Sequence, residues 1–157
     1  MTNDIDSEMW IEDYLSDLLD RTGLDISIEE ISIDEDDVIS IQLAGPDSAR
    51  VIGRDGQTLE AFQHILVSSA IHNRVANRRI LLDVENYRDR RDQRIIDEAD
   101  RLADEALDTG TAQDAPPMPP RERRLVHMVV SEIDGLTTES VGDGEDRFVR
   151  IIPKESQ

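Results

Sequence analysis

The stretch RVIGRDGQTLEAFQHIL, residues 50–66, sets an apolar run before two glycines, Gly53 and Gly56, which enclose Arg54 and Asp55, and follows them with the spacing of an amphipathic helix. A helix that ends in a tight glycine turn and restarts at once leaves the first N–H groups of the second helix without intrahelical acceptors. Such an end attracts phosphate. On this reading Gly53 permits an unusual backbone angle, and Gly56 removes a side chain that would block the close approach of a sugar–phosphate chain. A lone Gly-x-x-Gly is weak, because helix hairpins also use glycine for geometry only. Its neighbours decide what it means.

Upstream, Trp10, Leu15, Leu18 and Leu19 recur at helical spacing and predict a helix over 7–22, with Gly23 as its stop. DISIEEISI and DVISIQL flank the polar turn DEDD and predict strands over 25–33 and 37–43. A short helix over 46–52 has Pro46 near its first turn. After the glycine pair, Leu59, Phe62, Leu66 and Ala70 fall on one stripe of a helix over 56–75, and RRILLDVE predicts a buried strand over 78–85. The order is helix, strand, strand, helix, helix, strand.

Beyond residue 85, Asn86 is the expected cap of a long helix whose apolar stripe is Ile95, Ala99, Leu102 and Ala106. Its charges oppose the helix dipole. Arg88, Arg90, Arg91 and Arg94 crowd the N-terminal end and Asp97, Asp100, Asp104 and Asp108 the C-terminal end, at roughly a few tenths of a kcal/mol per group. An order that costs stability makes the arginine end a candidate binding surface; a solvated charged face is the alternative. TAQDAPPMPP then reads as an extended, proline-rich connector. RERRLVHMVVSEI reads as a second helix entered through Pro120, and LTTESV and RFVRIIP as a hairpin across GDGED.

Composition bounds the function. At 157 residues and 38% hydrophobic content the chain can hold one compact domain or two small ones. It has no cysteine, and His64, His72 and His127 share no metal-ligand spacing, so neither a metal nor a cofactor is expected. A reducing compartment is the simplest reading. The N-terminus has no basic-then-apolar leader and no apolar run approaches a membrane span, so the expectation is a cytoplasmic protein without membrane insertion.

The net charge of -19 argues at first against a phosphate-bearing partner. Its distribution does not. Residues 1–47 carry fifteen acidic side chains against Arg21 alone, whereas residues 48–94 carry nine basic against six acidic. Of the 17 basic residues only Lys154 is lysine, and arginine's planar fork suits phosphate and stacked bases. A general adaptation of surface composition, such as to salt, is the other reading of the acidity.

The segment VIGRDG, between two helices, after two strands and before one, resembles the nucleic-acid loop of a type II KH domain. In that family the Gly-x-x-Gly loop clamps about four nucleotides. The resemblance implies a phosphate contact at Gly53, Arg54, Asp55 and Gly56, with Ile52, Leu59 and Phe62 lining or supporting an apolar groove. Asp55 departs from the basic or neutral residue most such loops carry, and Arg54 offsets part of that charge. MPPRERRLVHMVV and SVGDGEDRFVRI resemble the R-3-H nucleic-acid domain, named for an Arg and a His three residues apart in between, here Arg123 and His127. One helical turn apart, they share a face. Arginine can hold a phosphate by two hydrogen bonds and histidine can stack on a base or donate to an oxygen; Arg124 stands beside them.

The two together, over residues 8–153, resemble the Jag family, also called KhpB or EloR, bacterial RNA-binding proteins. What this implies is an α+β fold of two small α/β-layer domains: a type II KH domain (αββααβ) over 1–85, and an R-3-H domain over 86–157 built of a long helix, a short helix and a small antiparallel sheet. Many members begin with a further N-terminal domain; here the residues before the first strand are used by the KH helix, so that domain is expected to be absent, and membrane-proximal roles that depend on it are not carried over. No carboxylate pair, Ser-His-Asp, zinc or Walker pattern supports catalysis, and DEDD lacks the glycine and terminal glutamate of an EF-hand loop.

The expected function is therefore binding of single-stranded RNA, with single-stranded DNA a second ligand of the same chemistry, in post-transcriptional or cell-envelope regulation. Arg88, Arg90 and Arg91 would extend a positive track from the loop. The alternative is an adaptor whose acidic surface docks a basic partner, such as a ribosome-associated protein or another small KH protein, with little RNA binding.

Overall fold

The computed structural model describes residues 4–75 and 78–154. The outer ends of the two expected domains, residues 1–3 and 155–157, lie outside the described residues. The chain divides into two compact units, residues 1–88 and 89–157.

In the first unit, helix α1 (Asp4–Thr22) buries Leu15 and Leu19 of the predicted stripe together with Ile11, while Trp10 and Leu18 are half-buried against the same core. Strands β1 (Ser27–Ile33) and β2 (Ile39–Ala44) pair antiparallel. The DEDD turn between them is held by Asp34, whose Oδ1 accepts the Asp36 and Val38 amides at 2.9 and 3.0 Å. That side-chain turn accounts for the aspartate without a cation. After β2 come helix α2 (Ser48–Ile52), a single 3-10 turn over Arg54–Gly56, helix α3 (Gln57–His72) and strand β3 (Ile80–Val84). β3 pairs parallel to β2, giving the order β1-β2-β3. Parallel neighbours require a crossover, and α2 with α3 supplies it. Leu59, Phe62, Leu66 and Ala70 of α3 join Ile39, Ile41, Leu43, Leu82 and Val84 of the sheet in one core.

Helix α4 (Tyr87–Thr109) opens the second unit, and its start departs from expectation. Asn86 does not cap it: Glu85 and Asn86 both lie at positive φ, 49° and 55°, and the Asn86 amide donates to Gln42. The carboxylate that reaches the first turn belongs to buried Asp83, which accepts the Arg88 amide at 3.4 Å and that of Val84 at 2.9 Å. A carboxylate at a helix N-terminus satisfies an orphan donor and complements the dipole.

Ile95, Ala99, Leu102, Ala103 and Ala106 of α4 pack with Val126 and Val130 of helix α5 (Pro120–Ser131). The sheet has three strands where a hairpin is predicted. Strand β4 (Gln113–Asp114) arises inside the proline-rich connector and lies beside β6 (Phe148–Pro153), which in turn pairs with β5 (Leu136–Val141), order β4-β6-β5. The ladder continues beyond β4 through Ala115 N–H to Val149 C=O and Met118 N–H to Arg147 C=O. Prolines lack a donor and are tolerated on such an edge, while Ala115 and Met118 turn inward to the core.

Candidate nucleic-acid interface

The glycine loop is a backbone device. Gly53 sits at φ 71°, ψ -170°, a region that side chains exclude, and Gly56 sits left-handed at φ 82°, ψ 6°. Between them Asp55 adopts φ 51°, ψ 27°. Aspartate is among the few residues that enter the left-handed region readily, so Asp55 has a conformational role beside its charge. A Cβ on Gly53 would collide with the Thr58 hydroxyl. The reading of Gly56 needs correction: a Cβ there would meet the Tyr87 ring at 3.0 Å, and the residue is buried. Its missing side chain makes room for Tyr87, and what Gly56 has to offer a ligand is its backbone.

This geometry leaves Arg54 outward, its side chain 89% exposed, with only a loose 3.9 Å approach to the Asp55 carboxylate. Exposed pairs at that distance gain little. Gly56 at the N-cap supplies no side-chain hydrogen bond to α3, which starts at Gln57 directly behind the loop. The arrangement therefore offers a helix N-terminus and an exposed guanidinium side by side, the elements of an anion contact.

Of the residues expected to line or support a groove, all sit on the supporting side. Leu59 is 1% exposed and Phe62 9%, so they belong to the core, and Ile52 is half-buried against it. Successive turns of α3 also carry Glu60, Gln63, His64 and Val67, the last packed at the core's edge, which with Arg88 line an open cavity of about 390 Å³. Here Gln63 Oε1 accepts the Leu82 amide at 3.0 Å and Arg88 Nη2 at 3.0 Å, and Arg88 Nε donates to the Leu82 carbonyl. Both outward backbone groups of Leu82, on edge strand β3, are thereby covered by side chains.

Arg88 is thus folded back onto its own unit, and this revises its place in a positive track. Arg91 is revised more strongly. It donates through Nε and Nη2 to the two carboxylate oxygens of Glu122 at 2.9 and 3.0 Å, the carboxylate being 8% exposed. A bidentate pair of this kind ties α4 to α5. At Arg88 and Arg91 the unfavourable arginine order at the start of α4 is therefore explained by partners that the helix pattern does not contain. Arg90 stays exposed, its main-chain carbonyl accepting from Arg94 Nε at 3.4 Å.

On α5, Arg123 is half-buried with Nη1 donating to the Met118 carbonyl at 2.9 Å, and Arg124 is exposed. His127 does not present a free ring: Nδ1 lies 2.7 Å from Thr138 Oγ1 and Nε2 lies 2.9 Å from Ser140 Oγ. Burial, and secondarily the charge of Arg123, holds its pKa below the ordinary histidine value, so the ring is neutral at pH 7. Sequence reasoning missed Thr138 and Ser140. Their period-two spacing with Leu136 in LTTESV places all three on one strand face, and that signal was available.

Among the described residues no helix is long and apolar enough to cross a membrane, and no group of His, Asp and Glu side chains is placed to hold a metal ion.

Residues 8–84 match the KH domain of the KhpA/KhpB family, and residues 93–153 match the R-3-H domain family. Among curated proteins, the RNA-binding protein KhpB of Clostridium symbiosum is 32% identical over 143 residues, 89% of this chain and 62% of that relative. RNA-binding protein KhpB of Bacillus subtilis strain 168 is 30% identical over 118 residues, 74% of this chain and 57% of the relative. The Streptococcus pneumoniae D39 protein of the same name is 30% identical over 114 residues, 72% and 34% respectively. The chain thus spans between about a third and under two thirds of the relatives it matches. With the KH order αββααβ, the Gly-x-x-Gly loop and the Arg-x-x-x-His helix all in place, the chain belongs to the KhpB (Jag) family, a KhpA/KhpB-type KH domain followed by an R-3-H domain.

Proposed function

We propose that this protein binds single-stranded RNA through two modules, residues 1–85 and 86–157. The observation that carries the reading is the loop: a glycine-only conformation at Gly53 and a left-handed Gly56 around an exposed Arg54, directly ahead of the α3 N-terminus. Gly53, Arg54, Asp55 and Gly56 grip a phosphate, with Ile52 supporting the loop from behind. Arg90 extends the contact, while Arg88 and Arg91 serve mainly to hold the surface in shape. Arg123, Arg124 and the face carrying His127 form the second contact. Two weak sites on one chain gain apparent affinity when a strand spans both. The names of the relatives, RNA-binding proteins, support the ligand class. On this proposal the binding serves post-transcriptional or cell-envelope regulation, and single-stranded DNA is the weaker ligand.

The second reading, an adaptor, is favoured by one observation. Glu12, Asp13, Asp17 and Asp20 of α1 and Glu29 and Glu30 of β1 are all exposed. A basic ribosome-associated protein or another KH protein would suit that surface.

Titrating the full chain with short single-stranded and matched double-stranded RNA from low to physiological salt separates the two. Salt-sensitive binding to single strands, lost in Arg54→Asp with the fold intact, is the expected result. Affinity unchanged by Arg54→Asp rejects the loop assignment, and no binding even at low salt favours the adaptor.

A further inference from the structure

In the sheet β4-β6-β5, strand β5 lies at an edge, and its Thr138 and Ser140 stand opposite Ile151 and Val149 of β6. Those two partners are fully buried, each 0% exposed. Two hydroxyls therefore occupy core-facing positions that strand patterning reserves for apolar side chains. Departures from a local rule of this kind concentrate at functional sites. Their common partner is His127, bonded to both.

A neutral imidazole carries one N–H and one bare nitrogen. In either tautomer one hydroxyl accepts from the ring and keeps its own hydrogen, while the other donates to the ring and keeps its lone pairs. Neither hydroxyl makes another hydrogen bond among the described residues, and both side chains are half-exposed. The pair consequently presents one donor and one acceptor, whichever nitrogen holds the proton. Arg123, one turn earlier on α5, adds positive charge and has only Nη1 engaged, by the Met118 carbonyl.

We propose that Thr138 and Ser140 form a ribose–phosphate subsite, with His127 as the positioning residue that fixes their polarity and Arg123 as its cation. The donor hydroxyl takes a phosphate oxygen and the acceptor hydroxyl takes a ribose 2′-OH. This rests on the RNA-binding reading and adds a discrimination to it: a deoxyribose strand supplies the phosphate but not the 2′-OH, so the subsite favours RNA over DNA.

The experiment is the ratio of affinities of the full chain for a short single-stranded RNA and for DNA of the same sequence. The double variant Thr138→Val with Ser140→Ala should lower that ratio by roughly three- to tenfold, the worth of one hydrogen bond. The exchange variant Thr138→Ser with Ser140→Thr, which keeps both hydroxyls, should preserve it. An unchanged ratio in a double variant that still binds RNA overturns the subsite, and so does an equal fall in the exchange variant. Should the double variant fail to fold, the two single variants carry the test, and no fall in either overturns it. Wild-type protein that binds no RNA overturns both this and the reading it rests on, whereas binding with an unaltered ratio overturns the subsite alone.

Discussion

The glycine loop of the first unit and the His127 face of the second are built on opposite principles. In the loop the working groups are main-chain conformations, with Gly53 and Gly56 each at a positive φ and Arg54 carried outward almost wholly exposed. At the His127 face the working groups are side chains locked by other side chains, two hydroxyls and a ring within 2.9 Å. A loop of the first kind needs little support beyond residues adjacent in sequence. A site of the second kind exists only if α5 and β5 are packed correctly. Damage to packing should therefore abolish the second and spare the first.

The largest effect expected from that contrast is at Glu122. Glu122→Ala removes the largely buried carboxylate that accepts twice from Arg91, and breaking such a pair costs about 3 kcal/mol. Urea denaturation should show the loss in the second unit; a cost as small as that of an exposed pair would show that α4 and α5 do not depend on it. Next comes Gly53→Ala, which forces a side chain into a glycine-only conformation and into Thr58, at a cost of about 1–3 kcal/mol. RNA titration beside the melt should show binding lost more than stability, and retained binding would make the loop's backbone dispensable.

The third test concerns pH. The folded-state pKa of His127 is depressed, so the unfolded chain binds the proton more readily than the folded one. The contribution of the neutral ring is complete above the ordinary histidine value near 6.5 and is lost as pH falls below it. Melting temperature should drop between about pH 7.5 and about pH 5.5, by less in His127→Gln than in the wild type. Equal drops in the two would place the pH dependence elsewhere. The smallest effect is at Arg121→Ala, whose pair with Asp92 joins the same two helices as Arg91 and Glu122. Its side chain is 60% exposed, so less than about 1 kcal/mol is expected in the same denaturation series.

Legibility follows the same division. The apolar stripes of α1, α3 and α4 are periodic over neighbouring turns, and the core contains them. The Pro-rich connector was legible as extended but not as a strand, since its partner Ile151 lies far along the chain from Gln113. Asn86 looked like a cap because caps are judged by residue type beside a helix start. Asp83, three residues earlier, reaches the same amides only because the turn at Glu85 and Asn86 is left-handed. For Phe62 and Leu59 the residues left lining and supporting a groove both open, because an apolar face can equally meet a ligand or a sheet. The sheet claimed them.

From its residues alone the chain declared the order of its elements, the glycine loop between two helices and the Arg-x-x-x-His pair, because each is written in spacings of a few residues that local backbone geometry obeys. Tertiary structure alone decided which arginines keep a guanidinium for a ligand and what the histidine ring touches. Arg91 and Glu122 are 31 residues apart and Arg88 and Gln63 are 25 apart. A guanidinium's free energy near a carboxylate depends on distance and burial, and no periodicity encodes either across such separations.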